Sequence, residues 1–197
     1  VIKYYYALGE YMDYLILVNK DKPLDKTWVP DGLVDAHSRY KAEVIVNNKL
    51  LDSFNKMAKD ALELGYVIDI MSGYRDYLYQ DKIYNKLLME RGFAYAFRSI
   101  AKAGCSEHQT GLAIDICVYR DNKCYIEREI EEMDEGRWLR DNAYKYGFIL
   151  RYPKGCEGMT GYNYEPWHFR YVDNVDVAKE IYLNNLTLEE YLEKSCK

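Results

Sequence analysis

Three histidines occur among the 197 residues, and two of them stand beside groups that could hold a metal ion. In the run Gly104-Cys105-Ser106-Glu107-His108-Gln109-Thr110-Gly111-Leu112-Ala113-Ile114-Asp115, a histidine and an aspartate lie seven positions apart around a glycine. Two ligands of one zinc ion sit a few ångströms from each other, whereas seven extended residues span roughly 23 Å. The chain must turn back between them, and Gly111 is where it can. Taken alone, such a pair is more often a satisfied polar contact than a metal site. A second run, Glu165-Pro166-Trp167-His168, adds another histidine with a carboxylate three residues before it. A catalytic zinc takes three protein ligands, keeps a fourth position for water and needs a base beside that water. His108, Asp115 and His168 supply the ligands, Glu165 supplies the base, and Trp167 can keep bulk water out. Two imidazoles and one carboxylate favour zinc over magnesium or calcium.

A third run, Ser72-Gly73-Tyr74-Arg75, follows an expected strand and precedes an expected helix. Arginine offers a planar, permanently charged fork to a carboxylate or a developing oxyanion. A structural arginine at a helix start is the competing reading of Arg75. His37 lies outside every motif, and Tyr162 and Tyr164 are read with Trp167 as walls of a pocket.

These three runs resemble the metallopeptidase family of VanY-type D-alanyl-D-alanine carboxypeptidases, VanX-type dipeptidases and dual-function VanXY enzymes of vancomycin resistance. The family pattern S-x-H-x-x-G-x-A-x-D is met at Ser106, His108, Gly111, Ala113 and Asp115, and E-P-W-H at Glu165 to His168. S-G-Y-R is met at Ser72 to Arg75, and Gln80 occupies the downstream glutamine position. The resemblance extends from about Leu15 through Val172. It implies one zinc ion on His108, Asp115 and His168, with Glu165 as base and Arg75 stabilising the transition state. Ser106 and Gln80 would hold a substrate ending in D-Ala-D-Ala, a peptidoglycan precursor. Relatives that act as L,D-carboxypeptidases on tetrapeptide stems share all three motifs, so the motifs leave that alternative open. A non-catalytic wall-binding module would be expected to lose a ligand or the base, and none is lost here.

The elements that must position these residues can be read from periodicity. Apolar residues at helical spacing predict a helix over Lys49 to Leu64, ended by Gly65, and Tyr77 to Arg91 reads as a second helix ended by Gly92. A strand is expected over Tyr66 to Met71, a short helix over Phe93 to Ala101, and a helix from Gly136 to Tyr146. Leu112 to Tyr119 and Lys123 to Ile126 read as a hairpin about Tyr119-Arg120-Asp121-Asn122. Phe148 to Tyr152 and Trp167 to Val172 are further strands, and Thr187 with Glu190 forms a capping box before a last helix. Helices at both ends and strands between them, without a βαβ alternation, predict an α+β fold. We expect one domain spanning residues 1 to 197, with a mainly antiparallel central sheet, flanking helices and the zinc site in a cleft.

Composition excludes several classes. The net charge of −5, with no basic cluster, argues against nucleic acid, and no apolar run approaches the roughly 20 residues that span a bilayer. Twenty-two tyrosines against five phenylalanines suit a groove for polar substrates. The five cysteines form no regular framework, which points to free thiols in a reducing compartment and hence the cytoplasm. The exception is Cys117 and Cys124, which would face each other across the hairpin and could form a disulfide. A start at Val1 rather than Met leaves the alternative of a removed leader, or an anchor on the outer face of the membrane. Nothing in the residues indicates an oligomeric state.

Overall fold

The computed structural model describes residues 12–39 and 41–195. A two-stranded ribbon, β1 (Leu33–Asp35) and β2 (Ile45–Asn47), leads into α1 (Asn48–Glu63). Asn47 caps that helix, its side-chain oxygen accepting from the Lys49 and Leu50 amides at 3.0 and 3.3 Å. Leu50, Phe54, Met57 and Ala61 form its buried stripe.

The remaining elements follow in order. β3 (Ile68–Ser72) precedes α2 (Tyr77–Arg91) and α3 (Phe93–Ser99), then a 3-10 turn over Glu107–Thr110. β4 (Ala113–Arg120) and β5 (Lys123–Tyr125) form the hairpin, followed by a 3-10 turn over Glu127–Glu132 and α4 (Asp134–Asn142). β6 (Phe148–Leu150), α5 (Glu157–Thr160), β7 (His168–Tyr171), α6 (Val175–Leu183) and α7 (Leu188–Ser195) complete the described chain. The central sheet is antiparallel, in the order β3-β4-β7-β6, with β5 paired to the far end of β4. The fold is thus α+β, as expected.

Alternation along the strands divides the sheet between core and site. On β4, Ile114, Ile116 and Val118 pack into the main core with Leu50, Phe54 and Met57 of α1. Phe169 and Tyr171 of β7 join the same core. Asp115, between Ile114 and Ile116, and His168, before Phe169, therefore project from the opposite face. The Asp115↔His168 register places them side by side.

Several boundaries differ from the sequence reading. The expected helix to Tyr146 gives way to a 3-10 turn at Ala143–Tyr146 before Gly147, whose φ of +77° ends it. The strands expected over Phe148 to Tyr152 and Trp167 to Val172 are shorter. The β1–β2 ribbon and α6 escaped the reading, because three-residue strands carry no resolvable period. The Asn174 cap of α6, accepting from the Asp176 and Val177 amides, was the legible signal there. The capping box is present: Glu190 Oε2 accepts from the Thr187 amide at 2.7 Å and Thr187 Oγ1 from the Glu190 amide at 3.2 Å.

The hairpin corrects the cysteine reading. Its turn is the two residues Asp121 and Asn122, with φ of +52° and +59°, the both-positive geometry that matches strand twist. Tyr119 and Arg120 therefore belong to β4, and the register sets Tyr119 against Cys124. Cys117 and Cys124 stand diagonally rather than facing each other. Both are free thiols, as are Cys105 and Cys156; Cys124 and Cys156 are only half-buried. Burial, with the neighbouring Cys124 thiol, pushes the Cys117 thiol well up. Cys196 lies outside the described residues. Among those residues no helix is long and apolar enough to cross a membrane.

Candidate metal centre

Local backbone features deliver each candidate ligand. His108 lies on the 3-10 turn capped by Ser106, whose Oγ accepts from the His108 amide at 3.3 Å. Gly111 ends that turn at φ +70°, where its amide reaches the His108 carbonyl, so the chain reverses into β4 as the glycine requires. The Glu165 carbonyl accepts from the His168 amide at 3.3 Å, closing a turn with Pro166 in its second position. On the other edge of β4, a register shift between Ile70 and Ser72 brings Ser72 opposite Asp115. Asp115 is thus held between two strands that each carry part of the site.

Gly73 has a specific reason to be glycine. A Cβ there would lie 2.2 Å from the Ile45 carbonyl oxygen. Its own carbonyl accepts from His108 Nδ1 at 2.7 Å, which places the proton on that nitrogen and leaves Nε2 with a free lone pair.

That lone pair faces Asp115 Oδ2 at 3.4 Å, while Asp115 Oδ1 is 3.1 Å from His168 Nδ1. The two imidazole rings meet edge to face, their centres 4.9 Å apart. One donor atom from each of the three residues falls within 4.8 Å of the others, the single such cluster among the described residues. A tetrahedral zinc with bonds of roughly 2.0–2.1 Å separates its donors by about 3.4 Å. His108 Nε2 is buried without a hydrogen-bond partner, an orphan that a metal ion would satisfy. On spacing and donor type, the set fits zinc.

The electrostatics divide the two histidines. Burial pushes His108 down to about 4, and the Arg75 cation adds to the effect. Burial opposes charge on His168 too, but the Asp115, Glu107 and Glu165 carboxylates around the ring lift it to about 9. Asp115 stays well below the usual carboxylate range, the adjacent imidazoles outweighing its burial. Glu165, with its Oε2 3.7 Å from His168 Nδ1, is pushed up to about 7 by burial, with Asp115 adding and His168 and Arg75 opposing. A carboxylate near neutrality suits a group that must take up and return a proton.

The structure brings most of the expected residues together. A cleft of about 190 Å³ is lined by Arg75, Ser106, His108, Asp115, Glu165, Trp167 and His168, with Tyr152 and Tyr162 as aromatic walls. Arg75 donates its amide to the His108 carbonyl at 3.1 Å, and its Nη1 lies 3.9 Å from Asp115. Its Nε is buried with no partner in the protein.

Three residues fall outside the cleft lining. Gln80 is buried behind the wall, its amide donating to the Ala101 carbonyl at 2.7 Å, so it reaches the cleft through Ala101, which lines it. Tyr164 points to a separate cavity of about 540 Å³ that holds none of the expected site residues. His37 lies on the surface, 3.6 Å from Asp35.

Glu107 and Glu127 were not singled out from the sequence. Glu107 is buried behind His168, and Glu127 is an exposed carboxylate on the cleft's wall. Glu107 carried a faint signal, a charged residue inside the first motif, whereas Glu127 carried none.

Three protein donors converging beside a buried carboxylate, in a cleft on an antiparallel sheet, form the arrangement that a metal-assisted hydrolase requires. Residues 43–174 match the family described as VanY: D-alanyl-D-alanine carboxypeptidase. The chain belongs to that family. The Bacillus subtilis (strain 168) protein YodJ, provisionally described as a carboxypeptidase, is 41% identical, covering 91% of this chain and 67% of that protein. The bifunctional D-Ala-D-Ala dipeptidase and carboxypeptidase VanXYC of Enterococcus gallinarum is 35% identical, covering 91% of this chain and 94% of its own. Among solved structures, the LdcB LD-carboxypeptidase superposes with a TM-score of 0.84 at 41% identity, over 92% of this chain and 86% of that one. A point mutant of the vancomycin resistance D,D-pentapeptidase VanY, from the VanB-type resistance cassette and in complex with Zn(II), gives 0.76 at 32% identity, over 91% and 98%.

Proposed function

We propose that the protein is a zinc-dependent D-alanyl-D-alanine carboxypeptidase that removes the terminal D-alanine from cell-wall stem peptides. The reading has its main support in the convergence of His108, Asp115 and His168 beside Glu165. The Zn(II) complex of the VanY relative supports the metal, the one three-donor cluster among the described residues supports a single ion per chain, and the family description supports the substrate class. When bound, zinc supplies a Lewis acid that acidifies water and polarises the scissile carbonyl. Glu165 takes the proton from the attacking water and returns it to the leaving D-alanine amine. Trp167, Tyr152 and Tyr162 restrict bulk water around that transfer. Arg75, with its unpartnered Nε, offers a fork to the peptide's terminal carboxylate or to the developing oxyanion. Ser106 presents a hydroxyl to the same cleft, and Gln80 holds the Ala101 wall in place.

Arg75→Lys is expected to lower kcat/KM about a hundredfold, roughly 3 kcal/mol, because an ammonium cannot reproduce a bidentate contact. Steady-state kinetics on a D-Ala-D-Ala peptide measures it. A near-parental Arg75→Lys enzyme would leave Arg75 with a structural role, through its contacts to His108 and Asp115.

Substrate choice follows from the groups around the shared machinery. The structural likeness to LdcB, stronger than that to VanY, favours a second reading, removal of D-alanine from a tetrapeptide stem. Glu127 on the cleft wall can also receive a cationic amine, the group that a free dipeptide places near its scissile bond. Release of D-alanine from the pentapeptide, the tetrapeptide and free D-Ala-D-Ala separates the cases. We expect the pentapeptide to be preferred, with measurable dipeptide cleavage that Glu127→Gln reduces. Preference for the tetrapeptide would replace the D,D assignment with the L,D one.

A further inference from the structure

Two buried polar atoms behind the metal-ligand set lack partners and face each other. His168 Nε2 and Glu107 Oε2 lie 3.8 Å apart, and neither has a hydrogen bond. The other Glu107 oxygen is fully occupied: Oε1 accepts from Arg151 Nε at 2.7 Å and from Arg170 Nη1 at 2.9 Å. Both arginines are completely buried and are anchored in turn. Arg151 grips Glu189 of α7 bidentately at 2.8 and 2.7 Å, and Arg170 Nη2 donates to the Tyr14 and Ile16 carbonyls. The Glu107 carboxylate is therefore clamped on one oxygen, with the other aimed at the imidazole.

The opposite edge of that imidazole belongs to the ligand set, since His168 Nδ1 is the nitrogen beside Asp115. A ring that offers its Nδ1 lone pair to a metal carries its proton on Nε2. That proton points at Glu107 Oε2, and closing a gap of less than an ångström would satisfy both orphans.

We propose that Glu107 is a positioning residue, a buried carboxylate that holds the His168 ring and its tautomer through Nε2 and thereby sets metal affinity. The proposal rests on the metal-site reading above, and it concerns the residue behind the ligand rather than the ligands. Ligating histidines commonly donate their second N–H to such a group, and losing that partner costs roughly 10- to 100-fold in affinity.

Glu107→Gln makes a specific conflict. The two arginines claim the amide oxygen, so the NH2 is turned towards the His168 Nε2–H, donor against donor. Zinc dissociation constants, measured by competition with a chromophoric chelator, should rise roughly 10- to 100-fold for Glu107→Gln. The cobalt-substituted variant should show a displaced visible absorption spectrum. Glu189→Gln perturbs the same arginine network without touching His168. It should lower the melting temperature and leave zinc affinity near the parent's. Equal zinc affinity in parent and Glu107→Gln, or equal weakening by Glu189→Gln, would overturn the role. Should Glu107→Gln fail to fold, long-range 15N-edited NMR of the zinc-loaded parent decides: a proton on His168 Nε2 supports the proposal, and one on Nδ1 defeats it. A parent that binds no zinc would instead remove the metal-site reading itself.

Discussion

Glu165→Gln is expected to keep its metal and lose nearly all turnover, about a thousandfold or more. The amide is nearly the same size, so the turn closed by the Glu165 carbonyl and the His168 amide should persist. What disappears is the proposed proton acceptor, and a positioned general base contributes roughly 10²- to 10⁴-fold. The side chain is 13% exposed and burial raises its pKa to about 7, so little solvent is at hand to replace it. Metal content and D-alanine release should be measured on the same preparation. If the variant retains its zinc and stays within tenfold of the parent, the proton is taken by another group and Glu165 loses its assigned role.

His108→Ala should fail differently, with metal and activity lost together. His108 donates to the Gly73 carbonyl through Nδ1 and turns an unpartnered Nε2 towards Asp115, so truncation deletes a candidate ligand already oriented for binding. The loss of affinity should exceed the roughly 100-fold that an outer-shell partner is worth. Metal analysis after exhaustive dialysis should give about one equivalent of zinc for the parent and close to none for the variant. Chelator should abolish parental activity, and added zinc should restore it. An alanine variant that still held a full equivalent would exclude His108 from the ligand set.

These two variants separate roles that the sequence suggested side by side. Spacing implied that Gly111 must reverse the chain between His108 and Asp115, and the glycine adopts the left-handed conformation that does so. The long helices were legible because α1 repeats a strong apolar stripe and α2 ends at Gly92. Short elements were not, since the three residues of β1 or β2 contain too little pattern to distinguish strand from loop. The disulfide left open between Cys117 and Cys124 depended on hairpin register. Moving the turn to Asp121 and Asn122 was enough to undo it.

The candidate ligands and base could be named from residue type alone, because few side chains bind zinc and this chain has only three histidines. Their convergence could not. Asp115 meets His168 through a pairing 53 residues apart, set by strand register and by which residues of β4 and β7 face the core. The same limit hid Glu107, which as an isolated letter reads as a surface carboxylate. Its burial between Arg151 and Arg170 depends on three separate segments folding around it. Gln80 shows the converse: its position matched a motif, yet packing turned its amide to the Ala101 carbonyl behind the cleft wall. Chemical identity is local to the residue, whereas burial, register and direction arise from contacts between distant parts of the chain, and only the folded arrangement specifies those.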